Sequence, residues 1–204
     1  MVLSPDQIKT TLAALADRQW PKYWSAQSAA SVDDDYYGWV HRYRMQPTAT
    51  EAEVNAFEQK NHVSLPADYR DFLLQIGNGG AGPAFGVFSL GTYEDMALPD
   101  YILLALRNPF DDAAAENWDE DWSDPDRDWD AYQDVMQGAM IIGTEGCALW
   151  YWLIVTGPSA GQIWFDARTD RHPPKRIMDA NNQPVTFRSW FDSWLLDSAA
   201  KWLR

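Results

Sequence analysis

A single cysteine, Cys147, leaves the 204-residue chain without an internal disulfide and without the thiolates of a cysteine metal cluster. Histidine is almost as scarce. His41, His62 and His172 are scattered, and none stands four residues from another, as a helical metal-binding pair requires. No serine lies in a Gly-x-Ser-x-Gly elbow, so the usual hydrolase signature is missing. The longest apolar run, from Cys147 to Val155, is too short to span a bilayer. The first residues lack a basic stretch followed by an apolar one, which predicts no secretory signal and a soluble, cytoplasmic protein. Basic residues are few as well: 16 Lys and Arg against 30 Asp and Glu give a net charge of −14. Such a chain repels phosphate backbones and anionic leaflets, so nucleic acid and membrane surfaces are excluded as partners and a basic protein is favoured.

What remains is ample for a folded domain. The apolar fraction of 46% supports one sizeable core, and 12 tryptophans make the chain unusually aromatic. The most informative stretch runs from Thr50 to Gly91. Thr50 and Glu53 form a capping box, each side chain satisfying a backbone N–H at the start of a helix. Val54 and Phe57 share one face of that helix, and Val63 and Leu65 close it onto apolar surroundings. Pro66 opens a second helix at its first position, where the missing N–H costs nothing. Tyr69, Phe72, Leu73 and Ile76 give that helix one apolar face. Gly77 is expected to end it in the left-handed conformation. Asn78 to Pro83 turn the backbone, and Gly86 to Gly91 reads as a strand.

This order, with Leu65-Pro66, Asp68-Tyr69, Phe72-Leu73 and the glycine knot, resembles the SMI1/KNR4 family, or SUKH superfamily. The resemblance implies an α+β domain that binds protein partners, with a mostly antiparallel sheet and helices packed around it. Many bacterial members are immunity proteins that neutralise a cognate toxin. The likeness covers roughly residues 48–197, weakly between 92 and 138, and the length of the chain fits a single domain over residues 1–204.

Before that stretch, Ser4 caps a helix with Pro5 at its first position and Ile8, Leu12 and Leu15 facing a core. Trp20, Tyr23 and Trp24 lead into a loop over residues 25–35. Trp39, Val40 and Tyr43 suggest a helix or a strand before Pro47. Residues 1–47 therefore read as a helical extension packed on the main domain, too small for a core of their own. After Gly91, Tyr101 to Leu106 is a short buried helix or strand, which periodicity alone does not separate. Met140 to Gly143, the run from Cys147 to Val155 and the return from Gln162 to Phe165 read as strands, the last two as a hairpin across the turn 156–161. Cys147 is taken as a small core residue, and His172 to Pro174 as an exposed connection. Thr186 caps a last helix carrying Phe187, Trp190, Phe191, Trp194 and Leu195. The strands and this closing helix are again similar to the family pattern.

Residues 107–134 look like an insertion in that pattern. From Asp111 to Asp134 stand eleven Asp or Glu and one Arg, a net of −10 against −4 for the rest of the chain. Trp118, Trp122 and Trp129 would align on a helical turn. Asp124, Asp126, Asp128 and Asp130 mimic the start of a calcium loop, but Trp129 and Val135 stand where that loop needs Gly and Glu, so no metal site is assigned. The glycines from Gly77 to Gly82 follow a helix and lack the Gly-Lys-Ser/Thr of a phosphate loop, so they read as turn geometry rather than a nucleotide site.

Two readings of the block compete. Either its tryptophans dock it on the core while its carboxylates face water, or Trp118, Asp119, Glu120, Asp121, Trp122, Asp124, Asp126, Asp128 and Trp129 form a binding face for a basic partner. No catalytic residue and no cofactor is assigned. The leading expectation is a non-enzymatic binding protein that neutralises a basic, nuclease-type toxin. A carbohydrate-binding module or glycosidase using exposed Trp and paired carboxylates is the alternative. A regulatory scaffold, as the resemblance implies for fungal relatives, is a further one. Oligomeric state is left open.

Overall fold

The computed structural model describes residues 2–20, 35–93, 96–118 and 135–203. The chain begins with α1 (Pro5–Ala16), started by a capping box between Ser4 and Gln7 and burying Ile8, Leu12 and Leu15. Then α2 (Tyr36–His41) settles the ambiguity around Trp39 in favour of a helix. In α3 (Glu51–Asn61) the Thr50–Glu53 box is present in both directions. α4 (Ala67–Gln75) buries Tyr69, Phe72 and Leu73. A small ribbon of β1 (Thr92–Tyr93) and β2 (Met96–Ala97) precedes α5 (Asp100–Ala105), so the stretch after Pro99 is helical. A five-residue α6 (Asp112–Glu116) opens the acidic segment.

The main sheet is antiparallel in the order β3 (Ala139–Gly146), β4 (Leu149–Ile154), β5 (Ile163–Ala167) and β6 (His172–Arg176), before α7 (Phe187–Trp202) ends the chain. This is the expected α+β fold. The register sets which side chains share a face, because directly opposed residues point the same way. Tyr151 pairs with Phe165 and touches Trp190, so that face meets α7. Trp152 pairs with Trp164, which packs edge-on against Phe110 at 4.9 Å, so the opposite face meets the start of the acidic segment. β4 is thus covered on both sides, which is why its sequence is apolar without alternation. Among the described residues no helix is long and apolar enough to cross a membrane.

The first residues are tied to α7 by a buried clamp. Asp192, 1% exposed, accepts hydrogen bonds from the Leu3 N–H at 2.9 Å and from Arg188 Nε at 2.8 Å. The Arg188 guanidinium also donates to the Leu3 carbonyl. The α1 stripe joins the same core as Phe72, Phe187 and Phe191.

Several local expectations need correction. Pro66 is the N-cap of α4, with φ −51° and ψ 134°, and Ala67 is the first helical residue. Gly77 is not left-handed. Its reason is space: a Cβ there would sit 2.8 Å from the Gln46 carbonyl and 2.9 Å from the Met45 Cβ. Gly86 to Gly91 is not a ladder strand but an extended segment bridged through Val87 to Gly80 and Gly143. Cys147 is exposed, not core. It forms the two-residue tip between β3 and β4 with Ala148, at φ 52° and 59°, as a tight hairpin turn demands of both central residues. His172 to Pro174 belongs to β6, an edge strand, and the prolines stand where its register shifts against β5, so they interrupt no regular ladder. His62 is the exposed left-handed C-cap of α3. Tyr23, Trp24 and the loop residues 25–34 lie outside the described residues.

The two kinds of constraint differ in size. Gly86 has φ +101°, and a Cβ there would lie 2.2 Å from the Gly80 carbonyl oxygen, within the paired backbone that joins the glycine turn to the sheet. Gly86→Ala is expected to cost about 3 kcal/mol or more through strain and lost pairing. Thr50→Ala, which removes an exposed cap, is expected to cost about 1 kcal/mol. Denaturant unfolding of both variants checks the ranking.

Candidate functional site

The acidic segment can be built up from its root. Phe110, 2% exposed, lies against Trp164, and burying such a ring contributes about 2–3 kcal/mol. Asp111 caps α6 by accepting from the N–H groups of Ala113 and Ala114 at 3.0 and 3.1 Å. Asp112 then accepts from the Ser159 hydroxyl at 2.5 Å and from Arg176 at 3.1 Å, while Glu116 accepts from Arg176 Nε at 2.8 Å. The Arg176 guanidinium also lies over the Trp164 ring at 5.1 Å. These ion pairs are partly solvated, worth at most about 1 kcal/mol each, so Phe110 holds the root and Arg176 sets its orientation.

The returning end is fixed beside it. The Gly138 N–H donates to the Ala105 carbonyl at 3.0 Å, and Asn108 donates to Gln137 at 2.7 Å across the base. Gly138, at φ +76°, has no room for a side chain: a Cβ would sit 2.4 Å from the Asn108 carbonyl oxygen. Trp118 is half-buried, with the Arg168 guanidinium 5.8 Å from its ring. Arg168 is itself held by Asp166 through paired bonds of 2.9 and 2.7 Å, with both residues 3% exposed. Trp118 thus occupies a docking position. Asp119, Glu120, Asp121, Trp122, Asp124, Asp126, Asp128 and Trp129 lie outside the described residues. α6 itself ends at Glu116, short of Trp118.

A second surface escaped the sequence reading. The Asp35 carboxylate is buried and accepts from the Gly38 N–H at 2.9 Å, Arg18 at 2.7 Å and the Tyr43 hydroxyl at 3.0 Å. It caps α2 and pins it to the end of α1. Only glycine fits at 38, since a Cβ would lie 2.3 Å from either carboxylate oxygen. On this mount Tyr36, Tyr37 and Val40 are 37%, 39% and 39% exposed. The rings of Tyr36, Tyr37 and Phe85 meet edge to face, with centroids 5.1–6.0 Å apart. Burial first, then the Glu145 carboxylate, raises the Tyr37 hydroxyl above its ordinary pKa. Burial and a hydrogen bond to Glu145 do the same to Tyr151. The signal was present in the sequence as Tyr37 and Val40, three apart beside a glycine.

His41, on the inner side of α2, borders a groove of about 450 Å³ against α7, with Tyr43, Trp194, Asp197, Ser198 and Lys201. Its Nδ1 accepts the Tyr43 N–H at 3.0 Å, and its ring stands edge-on to Tyr43 and Trp194. Nε2 is buried, with the Gly82 backbone as its nearest partner but without a hydrogen bond of good geometry. Burial, outweighing the nearby Asp35 carboxylate, pushes the imidazole down to about 4. A general base works best with a pKa near the operating pH, so this imidazole is a packed neutral ring rather than a poised catalyst. Among the described residues no three of His, Cys, Asp and Glu come together to hold a metal ion. No described tryptophan is exposed, so no row of flat rings for stacking sugars stands among them.

A family model described as SMI1 / KNR4 family (SUKH-1) matches residues 48–189. Comparison with curated proteins returns no match, and comparison with solved structures returns none.

The buried imidazole has a consequence for stability. His41 stays neutral in the folded chain down to about pH 4, whereas in the unfolded chain it takes up a proton below about 6.5. The unfolded state therefore binds more protons between these values. The stability conferred by neutral His41 is complete above about pH 6.5, declines as pH falls and levels off near 4, for a total on the order of 3 kcal/mol. His41→Gln is expected to flatten that part of the stability–pH curve, with the carboxylate contribution unchanged. Chemical unfolding of both proteins across the range measures the difference.

Proposed function

With residues 48–189 matched by its model, the chain belongs to the SMI1/KNR4 family (SUKH-1), and from that membership we propose an immunity protein that neutralises a basic, nuclease-type toxin by direct binding. The observation that carries this reading is charge placed on a built root. Eleven of the thirty acids fall between Asp111 and Asp134, and three of them, Asp111, Asp112 and Glu116, cap or orient the segment's first helix. Beyond that root the sequence leaves eight acids against Arg127 alone. Such a field speeds the approach of a cationic protein and turns away nucleic acid, the substrate with which the chain would compete for the toxin.

In this reading the protein performs no chemistry. It covers the toxin's cationic surface, with Trp122 and Trp129 as candidate anchors and Asp119, Glu120, Asp121, Asp124, Asp126 and Asp128 steering the approach. Trp118 is the last described residue of the root, directly before these positions in the sequence. Residues 1–47 act as a helical extension and residues 48–197 as the family domain, with 107–134 inserted into it. The protein works in the cytoplasm, where a nuclease-type toxin meets its substrate. The absence of an exposed Trp row among the described residues sets the carbohydrate reading behind this one. A regulatory scaffold shares the same fold and differs only in the partner's identity.

The test is capture of the partner with the full chain as bait, followed by binding kinetics on the purified pair. A basic protein that associates quickly at low salt and more slowly as salt rises is the expected result. Reversing Asp119, Glu120 and Asp121 to lysine should slow association about tenfold or more while leaving the fold intact. Equal association rates for the reversed protein would remove the insertion from the interface. Retention on polysaccharide in place of a protein would overturn the reading.

A further inference from the structure

Large apolar side chains exposed by the described residues concentrate on α2, a helix of only six residues, where Tyr36, Tyr37 and Val40 are all exposed. A scattered apolar side chain on a surface needs no explanation, but several on one short helix do. Mobility does not account for them, because the Asp35 carboxylate fastens α2 to Arg18, Tyr43 and its own Gly38 N–H. Tyr37 and Val40, three apart, point to the same side. Tyr37 rests on Phe85 at 5.1 Å between centroids, and Phe85 in turn packs 3.1 Å from the Cβ position of Gly146, next to Glu145.

On the other side of Phe85 the surface turns concave. A hollow of about 410 Å³ is lined by Val40, Arg44, Met45, Phe85, Phe88 and Thr92. A protruding aromatic ring with a carboxylate beside it therefore adjoins a hollow with a guanidinium at its rim. Glu145 accepts the Tyr151 hydroxyl, and neither Glu145 nor Arg44 has an ion-pair partner among the described residues. Arg42, the neighbouring cation, lies over the rings of Trp39 and Trp20. Projection next to hollow, and acid next to base, is the self-complementary pattern that a two-fold axis converts into a closed interface.

We propose that this face joins two copies of the chain, the Tyr37 ring of each entering the hollow between Val40 and Phe88 of the other. Glu145 of each copy then meets Arg44 of the other, so every contact is made twice. At a net charge of −14 the two copies repel each other at long range, and salt screens that repulsion more than it screens pairs shielded by aromatic rings. Self-association therefore strengthens from low to moderate salt, opposite to the dependence of a contact between this chain and a basic protein.

Sedimentation velocity of the full chain, from low micromolar to near-millimolar concentration at both salt levels, tests this. A dimer that grows with concentration and with salt is expected. Tyr37→Ala and Arg44→Glu should each weaken it about tenfold or more, since each change is felt at two contacts. Combining Arg44→Glu with Glu145→Arg should restore it, a rescue that loss of folding cannot imitate. A monomer under all conditions overturns the proposal. A dimer indifferent to these substitutions overturns it too. Neither result bears on the acidic segment, whose test is the association rate of a foreign partner.

Discussion

The structure depends on the aromatic stripe of α7. Phe187, Phe191 and Trp194 stand at intervals of four and three, and each is met by a ring from elsewhere in the chain. Phe187 is met by Tyr69 and Phe72, Phe191 by Phe72, and Trp194 by Tyr43 in a near-parallel stack at 5.6 Å. Tyr43 passes the contact on to Trp20 after α1. Edge-to-face and offset pairs of this kind contribute about 0.5–1.5 kcal/mol each beyond the area they bury. The ladder runs from α4, at the centre of the family domain, out to the N-terminal segment. One helix at the end of the chain thus gathers elements that lie more than a hundred residues before it in the sequence.

Polar groups decide how that apolar frame is oriented. Asp192 lies on α7 among the rings and fixes the chain just before α1, through Leu3 and Arg188. Asp68 receives the Arg188 N–H and ties α4 to the start of α7. Asp35 does the same for α2 at the far end of the ladder. A buried carboxylate that lost one of these partners would leave a charge without compensation, which costs more than its pair contributes when intact. These acids therefore act as orientation devices within an apolar core, and their role is separate from that of the acids between Asp111 and Asp134.

Much of this was legible from local signals. The caps at Ser4, Thr50 and Thr186 are read from short-range chemistry and all are present. The apolar faces of α4 and α7 follow from helical spacing, and the strand within the run from Cys147 to Val155 from its continuous apolarity. What misled were residues whose role is set by distant neighbours. Gly77 looks like a helix stop, yet its constraint is the Gln46 carbonyl and the Met45 side chain pressing on it. Cys147 stands at the edge of an apolar run, and register alone makes it the turn. The prolines in β6 suggest a connection until Arg176 is seen pairing across from Trp164. The α2 face was legible only in part: Tyr37 and Val40 stand three apart, but Phe85 and Glu145 come to Tyr37 from distant parts of the chain.

The placement of charge follows from these constraints. A chain with 30 acids and 16 bases gains nothing in folding from the excess, since like charges held close together repel. The described residues limit that cost by giving the innermost acids cationic or backbone donors. Asp166 has Arg168, Asp112 and Glu116 have Arg176, and Asp35 has Arg18. Eight further acids and one arginine follow in sequence between Asp119 and Asp134, directly after a root where Phe110, Arg176 and Trp118 meet the sheet. Like charges this dense along the sequence repel one another unless opposite charge meets them, from within the chain or from outside it. A firmly built root beneath so dense a run of acids is what the proposed encounter with a cationic surface calls for, whereas solubility alone would be served equally well by scattered acids.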